Sequence, residues 1–550
     1  MKQITVLFLY FFLVIFFANK INSQDLTLSL LSKNKTENEF LQQLNFIKTH
    51  KDSVSLTYEV KKIATHLKDI GYFSNNIDSI HFTNKKTVAY FSLNRKINHA
   101  KITFPKKNIN LKDLLKTKNN TYNIPVSELQ PLLKKITNKK ELQGHSFSKV
   151  QLQNINLKAD TLFADLYIYE SKKRKINNIV IKGYKDFPKS FIKNYYKINK
   201  ETIFNQKKLK EISTTTKQLP FIKEIKPPEV LFTKDSTSVY IYIKKEKNNS
   251  FEGIVNFTSN EKGSLLLNGH LDLKLNNILN TGEDFEVFWN SINKQSQEFK
   301  ISTKLPYILN TSFSPSISFS LYKQDSTFLN TKLDTKLYYA INSKIRLATT
   351  YSSENSENLL ENLENNIVSY RNYFLGFEFE YSLPKVDNSF EKKFLIRINP
   401  SFGKRTISNS SSKQYKIEAT ISYIWDLNLK NSIYLRNNTG HLNSDNIINN
   451  ELFRLGGANS IRGFNEQSIL AKEYSYFNIE YRYLTSEKSY LYSITDIGTV
   501  DNNSFIGLGL GYLFNIKNSF IKLSIVSGKA AVKKTSLKDT KLIINFLSYF

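Results

Sequence analysis

From Phe251 onward the chain alternates apolar and polar positions in segments of about ten residues separated by short polar turns. Tyr373, Leu375, Phe377, Phe379 and Tyr381 share one parity; Gly376, Glu378, Glu380 and Ser382 share the other. Tyr415, Ile417, Ala419, Ile421, Tyr423 and Trp425 alternate with Lys416, Glu418, Thr420, Ser422 and Asp426. Ile506, Leu508, Leu510, Tyr512 and Phe514 alternate with Gly507, Gly509 and Gly511. A period of two puts each set on opposite faces of a strand. Apolar outward with polar or glycine inward is the pattern of a transmembrane barrel strand, although a soluble sandwich also alternates. Sixteen strands are predicted, beginning near Phe251, Leu265, Asp284, Gln297, Ser312, Thr327, Lys344, Asn372, Phe394, Gln414, Ser432, Ser475, Leu491, Phe505, Phe520 and Lys541. An even number suits a closed antiparallel barrel, because an open edge in lipid leaves backbone groups unpaired.

Residues 25–249 read differently, mixing helical and strand-like spacing. The clearest unit is 176–247. Ile179 to Ile181 start as a strand that Gly183 breaks, and Phe187 to Tyr196 has helical spacing. Asn205 is placed to cap a second helix, Gln206 to Gln218, and strands Pro228 to Thr233 and Ser238 to Ile243 follow. The order is β-α-α-β-β, and it can be laid on two earlier segments. In 97–173 it uses Lys101–Phe104, a helix at Glu128–Ile136, and a hairpin of Val150–Leu157 and Leu162–Tyr169. In 25–96 it uses Leu26–Leu30, a helix from Tyr58 to Ile70 ended by Gly71, and a hairpin of Ile77–Thr83 and Val88–Leu93. The expected domains are thus a leader at 1–23, α/β units at 24–96, 97–175 and 176–249, and a barrel at 250–550.

The leader changes the picture by implying export. Lys2 precedes an apolar run from Ile4 to Phe17, and Ile21 and Ser23 suit a cleavage site before Gln24. That run has 14 residues, short of the roughly 20 a spanning helix needs, so a signal peptide is expected. Export, the length of the strand series and 40 Phe with 31 Tyr favour a membrane barrel over a sandwich.

Charge is uneven. Residues 24–249 carry 43 Lys+Arg against 20 Asp+Glu, and residues 251–550 carry 33 against 28. The front-half lysines scatter without aromatic interleaving, so nucleic acid is not expected as a partner. With no cysteine, disulfides, thiolate metal sites and cysteine nucleophiles are excluded. His-Glu-x-x-His, Gly-x-Ser-x-Gly and phosphate-loop patterns are missing, and the seven histidines are dispersed. No catalytic site, metal or cofactor is expected.

The connection between the eleventh and twelfth predicted strands reads Phe453-Arg454-Leu455-Gly456-Gly457-Ala458-Asn459-Ser460-Ile461-Arg462-Gly463-Phe464. On the twelfth strand Phe477, Ile479, Tyr481 and Tyr483 would face lipid, which turns Asn478, Glu480 and Arg482 to the lumen. Asp496 would also face inward. An arginine on a returning loop could then pair with Asp496, with Glu480 as a second candidate, and Gly463 lets the chain turn beside it.

This segment resembles the sixth extracellular loop of the BamA/TamA outer-membrane insertase superfamily, with its Leu-Gly-Gly and Arg-Gly-Phe/Tyr elements. In that family the loop folds into the lumen, and its arginine contacts an aspartate in a Phe-x-Asp-x-Gly element on the thirteenth strand. Here that element is Ile494-Thr495-Asp496-Ile497-Gly498, with Ile at the first position. The α/β units resemble POTRA domains, and three of them look more like TamA than like BamA or the two-partner secretion transporters.

The resemblance implies a barrel in the outer membrane with periplasmic N-terminal domains. It implies a factor that inserts or translocates unfolded outer-membrane or secreted proteins, in contact with outer-membrane lipid and periplasmic accessory proteins. The expected lumen motif is Gly456, Gly457, Arg462, Gly463 and Phe464, facing Glu480, Asp496 and Gly498. The first and last strands must pair to close the barrel, with Gly253, Phe546 and Phe550 marking that seam. The alternatives are a two-partner transporter of one dedicated substrate, and a passive porin or surface antigen.

Overall fold

The computed structural model describes residues 26–83, 86–104, 120–259, 265–292, 296–360, 366–385, 388–530 and 540–550. The expected leader lies outside these residues. The chain divides into two compact units, 1–174 and 175–550.

The first unit holds two sheets. Strand β1 (Leu26–Leu31), helix α1 (Lys35–Gln43), β2 (Thr49–His50), α2 (Ser53–Asp69), β3 (Asn76–Phe82) and β4 (Lys86–Ser92) come first. Their sheet has the order β2-β1-β4-β3, with β1 and β4 parallel. Helix α2 buries Leu56, Val60, Ile63 and Leu67, a stripe at helical spacing that packs on Leu28, Leu30 and Phe91. The Asp52 carboxylate caps it by accepting from the Ser55 N–H at 2.7 Å. Gly71 ends this region at φ +109°, and a Cβ there would stand 2.1 Å from the Ile97 carbonyl.

The second sheet has β5 (His99–Thr103), β6 (Thr121–Pro125), α3 (Leu129–Leu142), β7 (Lys149–Lys158) and β8 (Thr161–Tyr169), in the order β6-β5-β8-β7. Here the expected β-α-α-β-β order needs correction. A strand, β6, precedes α3 in the described residues. At five residues it is too short for alternation to register, yet it buries Ile124 against the core shared with Ile102 and Leu166.

The second unit begins with β9 (Asn178–Lys182), α4 (Lys189–Asn194), α5 (Gln206–Thr216), β10 (Ile222–Phe232) and β11 (Thr237–Lys245). Its sheet order is β10-β11-β9. Helix α4 is shorter than the expected Phe187–Tyr196. Pro188 occupies its N-cap in an extended conformation, and Lys197 sits at φ +52° beyond it. Asn205 caps α5 by accepting from the Lys208 N–H at 2.7 Å. Strand β10 starts well before the expected Pro228. Pro227 and Pro228 lie inside it at a register shift between Lys226 and Glu229, where the ladder tolerates residues without an N–H.

The barrel strands are β12 (Ser250–Ser259), β13 (Leu265–Asn276), β14 (Asp284–Ile292), β15 (Ser296–Lys304), β16 (Phe313–Gln324), β17 (Phe328–Ala340), β18 (Ile345–Asn358) and β19 (Tyr370–Lys385). They continue with β20 (Asn388–Ile407), β21 (Ser410–Asp426) and β22 (Asn431–Ser444). A two-stranded flap, β23 (Phe453–Leu455) and β24 (Ile469–Ala471), interrupts them. Strands β25 (Glu473–Ser486), β26 (Ser489–Val500), β27 (Asn503–Ile516), β28 (Ser519–Ala530) and β29 (Thr540–Tyr549) complete a closed antiparallel barrel of sixteen. The expected strand starts all fall on or beside these strands. The largest offset is at β20, which begins at Asn388 rather than Phe394.

The third α/β domain and the barrel share one apolar core. Phe187, Phe191 and Phe221 pack with Tyr307 from a barrel turn and Ala340 at the end of β17, and the Phe191 and Tyr307 rings meet edge to face at 5.0 Å. Asn277 Nδ2 donates to the Tyr184 hydroxyl at 2.9 Å, and Lys197 Nζ donates to the Ala340 carbonyl at 2.9 Å. Burial there lowers the Lys197 ammonium pKa. The turns β13–β14, β15–β16 and β17–β18 therefore mark the domain-facing end of the barrel. The β22–β25 connection emerges at the opposite end.

Candidate functional site

The connection between β22 and β25 returns into the lumen. Arg462, 5% exposed, lies at its tip. The backbone N–H and Nε of Arg462 both donate to Asp496 Oδ2 at 2.8 Å, and Nη2 donates to Asp496 Oδ1 at 2.6 Å. Nη1 donates to Glu480 Oε1, and the other Glu480 oxygen accepts from Arg482 Nε at 2.9 Å. The Arg482 guanidinium lies 4.4 Å from the Tyr434 ring centroid and 5.0 Å from that of Tyr490. Asp496 is fully buried on β26, and Glu480 is nearly so on β25. A two-pronged guanidinium–carboxylate pair fixes orientation as well as charge, and in a confined lumen salt screens it little.

Glycine makes the approach possible. Gly463 has φ +94°, and a Cβ there would lie 2.6 Å from the Gly528 backbone nitrogen on β28. A Cβ at Gly507 on β27 would lie 2.2 Å from the Arg462 carbonyl. Gly507, inward-facing on β27, thus leaves room for the loop backbone. Phe464 packs edge to face on Phe505 at 5.4 Å, and Asn478 Nδ2 donates to the Ser460 carbonyl at 2.9 Å. Gly456 and Gly457 both have φ near +100°, and Ala458 N–H donates to the Glu466 carboxylate at 3.1 Å. Gly498 lies against Tyr476. Ile494, in the place of the family's aromatic, is buried against Tyr492 and Val526.

A second anchor holds the base of the same loop, on strands remote from β25–β28. Arg405 Nη1 on β20 meets Glu451 Oε1 at 2.5 Å, with both side chains at most 3% exposed. Gln414 Nε2 on β21 donates to the other Glu451 oxygen at 2.8 Å. Asn450 Nδ2 donates to the Ser356 hydroxyl at 2.6 Å and the Val368 carbonyl at 2.8 Å, and its carbonyl accepts from Asn330 Nδ2 at 2.9 Å. The Arg454 guanidinium stands 3.9 Å from the Tyr322 ring centroid. Sequence reasoning missed this anchor. Inward parity on β20 and β21 turns Arg405 and Gln414 to the lumen, but nothing in the chain names their partner.

The seam between the first and last strands is the other distinctive element. Among the described residues, only Ser250, Phe251 and Glu252 of β12 are in register with β29, against Tyr549, Ser548 and Leu547. By contrast β12 pairs with β13 over ten residues, and β28 with β29 over nine. Phe550 N–H donates to the Asn249 carbonyl at 3.0 Å, and Asn545 Nδ2 donates to Glu252 Oε1 at 2.9 Å beyond the ladder. A side chain at Gly253 would come within 2.2 Å of the His270 carbonyl. Phe546 is partly exposed on the outer face, and Phe550 is exposed at the terminus. The latch brings Arg462, Asp496 and Glu480 together; Gly253, Phe546 and Phe550 lie apart from it, at the seam. No group of three or more His, Asp or Glu among the described residues is placed to hold a metal.

Residues 239–511 match the model of the haemolysin secretion/activation protein family ShlB/FhaC/HecB. No curated protein sequence matches the chain significantly. Among solved structures, CdiB from Acinetobacter baumannii superposes with a TM-score of 0.53 at 14% identity, covering 90% of this chain and 98% of that one. CdiB from Escherichia coli gives 0.52 at 13% identity, covering 89% and 98%. BamA from Haemophilus ducreyi lacking POTRA domains 1–3 gives 0.47 at 14%, covering 82% and 100%. The CdiB likenesses concern the fold. A sixteen-stranded antiparallel barrel behind mixed α/β domains is the POTRA-plus-barrel architecture of outer-membrane proteins.

Proposed function

We propose that the chain handles unfolded protein clients at the outer membrane, with its α/β domains receiving them in the periplasm and its barrel opening sideways at the β12–β29 seam to template their insertion. One observation carries this reading: the seam has three residue pairs in register where its flanking interfaces have ten and nine. In lipid, unpaired backbone groups are costly, so a short ladder is the place where an incoming strand can exchange for an existing partner. The lumen latch holds the neighbouring wall while the seam opens. Three α/β units favour a dedicated, TamA-like client range over a general one.

A second reading has its own support. The family-model match at 239–511 favours export of a dedicated secreted protein through the lumen. In that case the latched loop, rather than the seam, is the moving part. A passive pore has no need of a polypeptide-binding arm.

Depletion followed by quantitative outer-membrane proteomics tests the proposal. The expected result is a fall in a set of barrel proteins, with their unfolded forms in the periplasm. Loss of one secreted protein with intact barrel proteins supports the second reading. An unchanged envelope and secretome overturns both.

A further inference from the structure

The outer wall of the barrel carries a basic cluster that neither the latch nor the seam uses. Along the outward face of β21, Trp425, Tyr423, Ile421, Ala419, Ile417 and Tyr415 form an apolar belt, and Lys413 follows. The belt covers eleven residues, about what a tilted strand needs to cross the hydrocarbon layer (roughly 9–11). Lys413 therefore stands at the outer headgroup level, on the end of the barrel opposite the docked α/β domain.

Its cross-strand partner is Lys404 on β20, and Lys404 in turn faces Tyr373 on β19. Arg371, two residues before Tyr373, pairs in register with Thr406, which puts it diagonal to Lys404. One row nearer the membrane, Leu375, Phe402 and Tyr415 lie side by side, with the Phe402 and Tyr415 rings 5.1 Å apart. Arg371, Lys404 and Lys413 are all exposed. Among the described residues their side chains make no ion pair or hydrogen bond. Glu357 on β18 and Asp445 past β22 form no salt bridge with them.

Two lysines directly opposed on neighbouring strands repel, and neither has a counter-ion among the described residues. An anion held between them removes that cost, and a guanidinium beside them adds the geometry that suits phosphate oxygens. The aromatic and aliphatic row beneath suits acyl chains, as aromatic belts do at membrane interfaces. Resting on the reading of this barrel as an outer-membrane span, we infer that Arg371, Lys404 and Lys413 form a docking site for the phosphate-bearing headgroup of an outer-leaflet lipid. The lipid's chains lie along Leu375, Phe402 and Tyr415.

The full chain, purified in micelles with equal amounts of phosphatidylcholine and phosphatidic acid, is analysed by native mass spectrometry for retained lipid. Phosphatidic acid should be preferred by on the order of tenfold, given the attraction of each surface cation for anionic lipid. R371Q/K404Q/K413Q should abolish the preference while the barrel keeps its heat-modifiable folded form. Lys323→Gln, at the same rim but on β16, should leave the preference intact. If the triple variant does not fold, Lys404→Gln alone gives the same readout, with a smaller loss expected. Equal retention of both lipids by the unmodified chain, or an unchanged preference in the folded variants, overturns the proposal. Displacement of phosphatidic acid by inorganic phosphate also overturns it, by marking a site for a soluble anion. Lipid retention is read without any client, so its failure leaves the client-handling proposal to its own test.

Discussion

At the lumen latch, one arginine on a loop tip donates four hydrogen bonds to two buried carboxylates. At the seam, three residues of β12 face three of β29, and beyond them a side-chain bond from Asn545 to Glu252 reaches across. The latch is over-determined. Removing any one bond leaves Arg462 held by the others, and a Cβ at Gly463, Gly507 or Gly528 would collide with the contact between loop and wall. The seam is under-determined, because the ladder stops after Glu252 although β12 itself runs on to Ser259. A barrel that needed only to be closed would have no reason to pair its last interface so sparsely. The contrast teaches that dense side-chain bonding and sparse strand pairing are assigned to different parts of one closed sheet.

The strongest way to break the contrast is to unlock the latch. Arg462→Ala strands Asp496 as a buried, unpaired charge and leaves Glu480 held by Arg482, and removing one partner of such a pair typically costs about 3–5 kcal/mol. The loop should become protease-sensitive within residues 456–468, and the barrel should unfold at lower denaturant. Unchanged protection would mean that the latch does not hold the loop. Arg405→Met tests the second anchor. It should cost somewhat less, about 3 kcal/mol, because Gln414 still holds one Glu451 oxygen. The double variant R405M/E451M should recover most of that loss in a denaturant titration, since an apolar pair of similar size leaves no charge stranded.

Gly463→Ala asks for less: a left-handed backbone in a non-glycine residue and a push against Gly528, together about 1–3 kcal/mol. It should weaken protease protection at the loop tip while leaving the base anchored at Glu451. Asn545→Ala sharpens the other side of the comparison. Losing its bond to Glu252 should cost only about 0.5–1.5 kcal/mol, and hydrogen exchange should quicken at β29 before any other barrel strand. Uniform exchange around the barrel would mean that the seam is no weaker than the rest.

Much of this architecture was readable along the chain. Sixteen alternating segments are enough to place sixteen strands, because the parity that turns Glu378 and Glu480 inward also turns Phe377 and Ile479 to lipid. Inward parity offered Asp496, and Glu480 as a second candidate, to an arginine in the lumen, while the expectation that Arg462 reaches them rested on the loop's resemblance to the BamA/TamA superfamily. What stayed hidden has physical reasons. Helix α1 has polar residues at most positions and buries only Leu41, so it leaves no apolar stripe. The second anchor depends on residues separated by 37 to 120 positions, ordinary polar side chains on lumen-facing strand rows and on the loop. The shortness of the seam ladder is a matter of register. Gly253, Phe546 and Phe550 mark the seam in the sequence, but no residue type states how many pairs will form.

The most direct test is a cross-link at the seam. Glu252 and Leu547 are register partners, and the chain has no cysteine, so E252C/L547C introduces the only two thiols. In a reconstituted insertion assay the account predicts that oxidation stops client insertion and that reduction restores it, with the latched loop protected from protease in both states. Full insertion by verified cross-linked protein would show that clients do not pass through the β12–β29 seam.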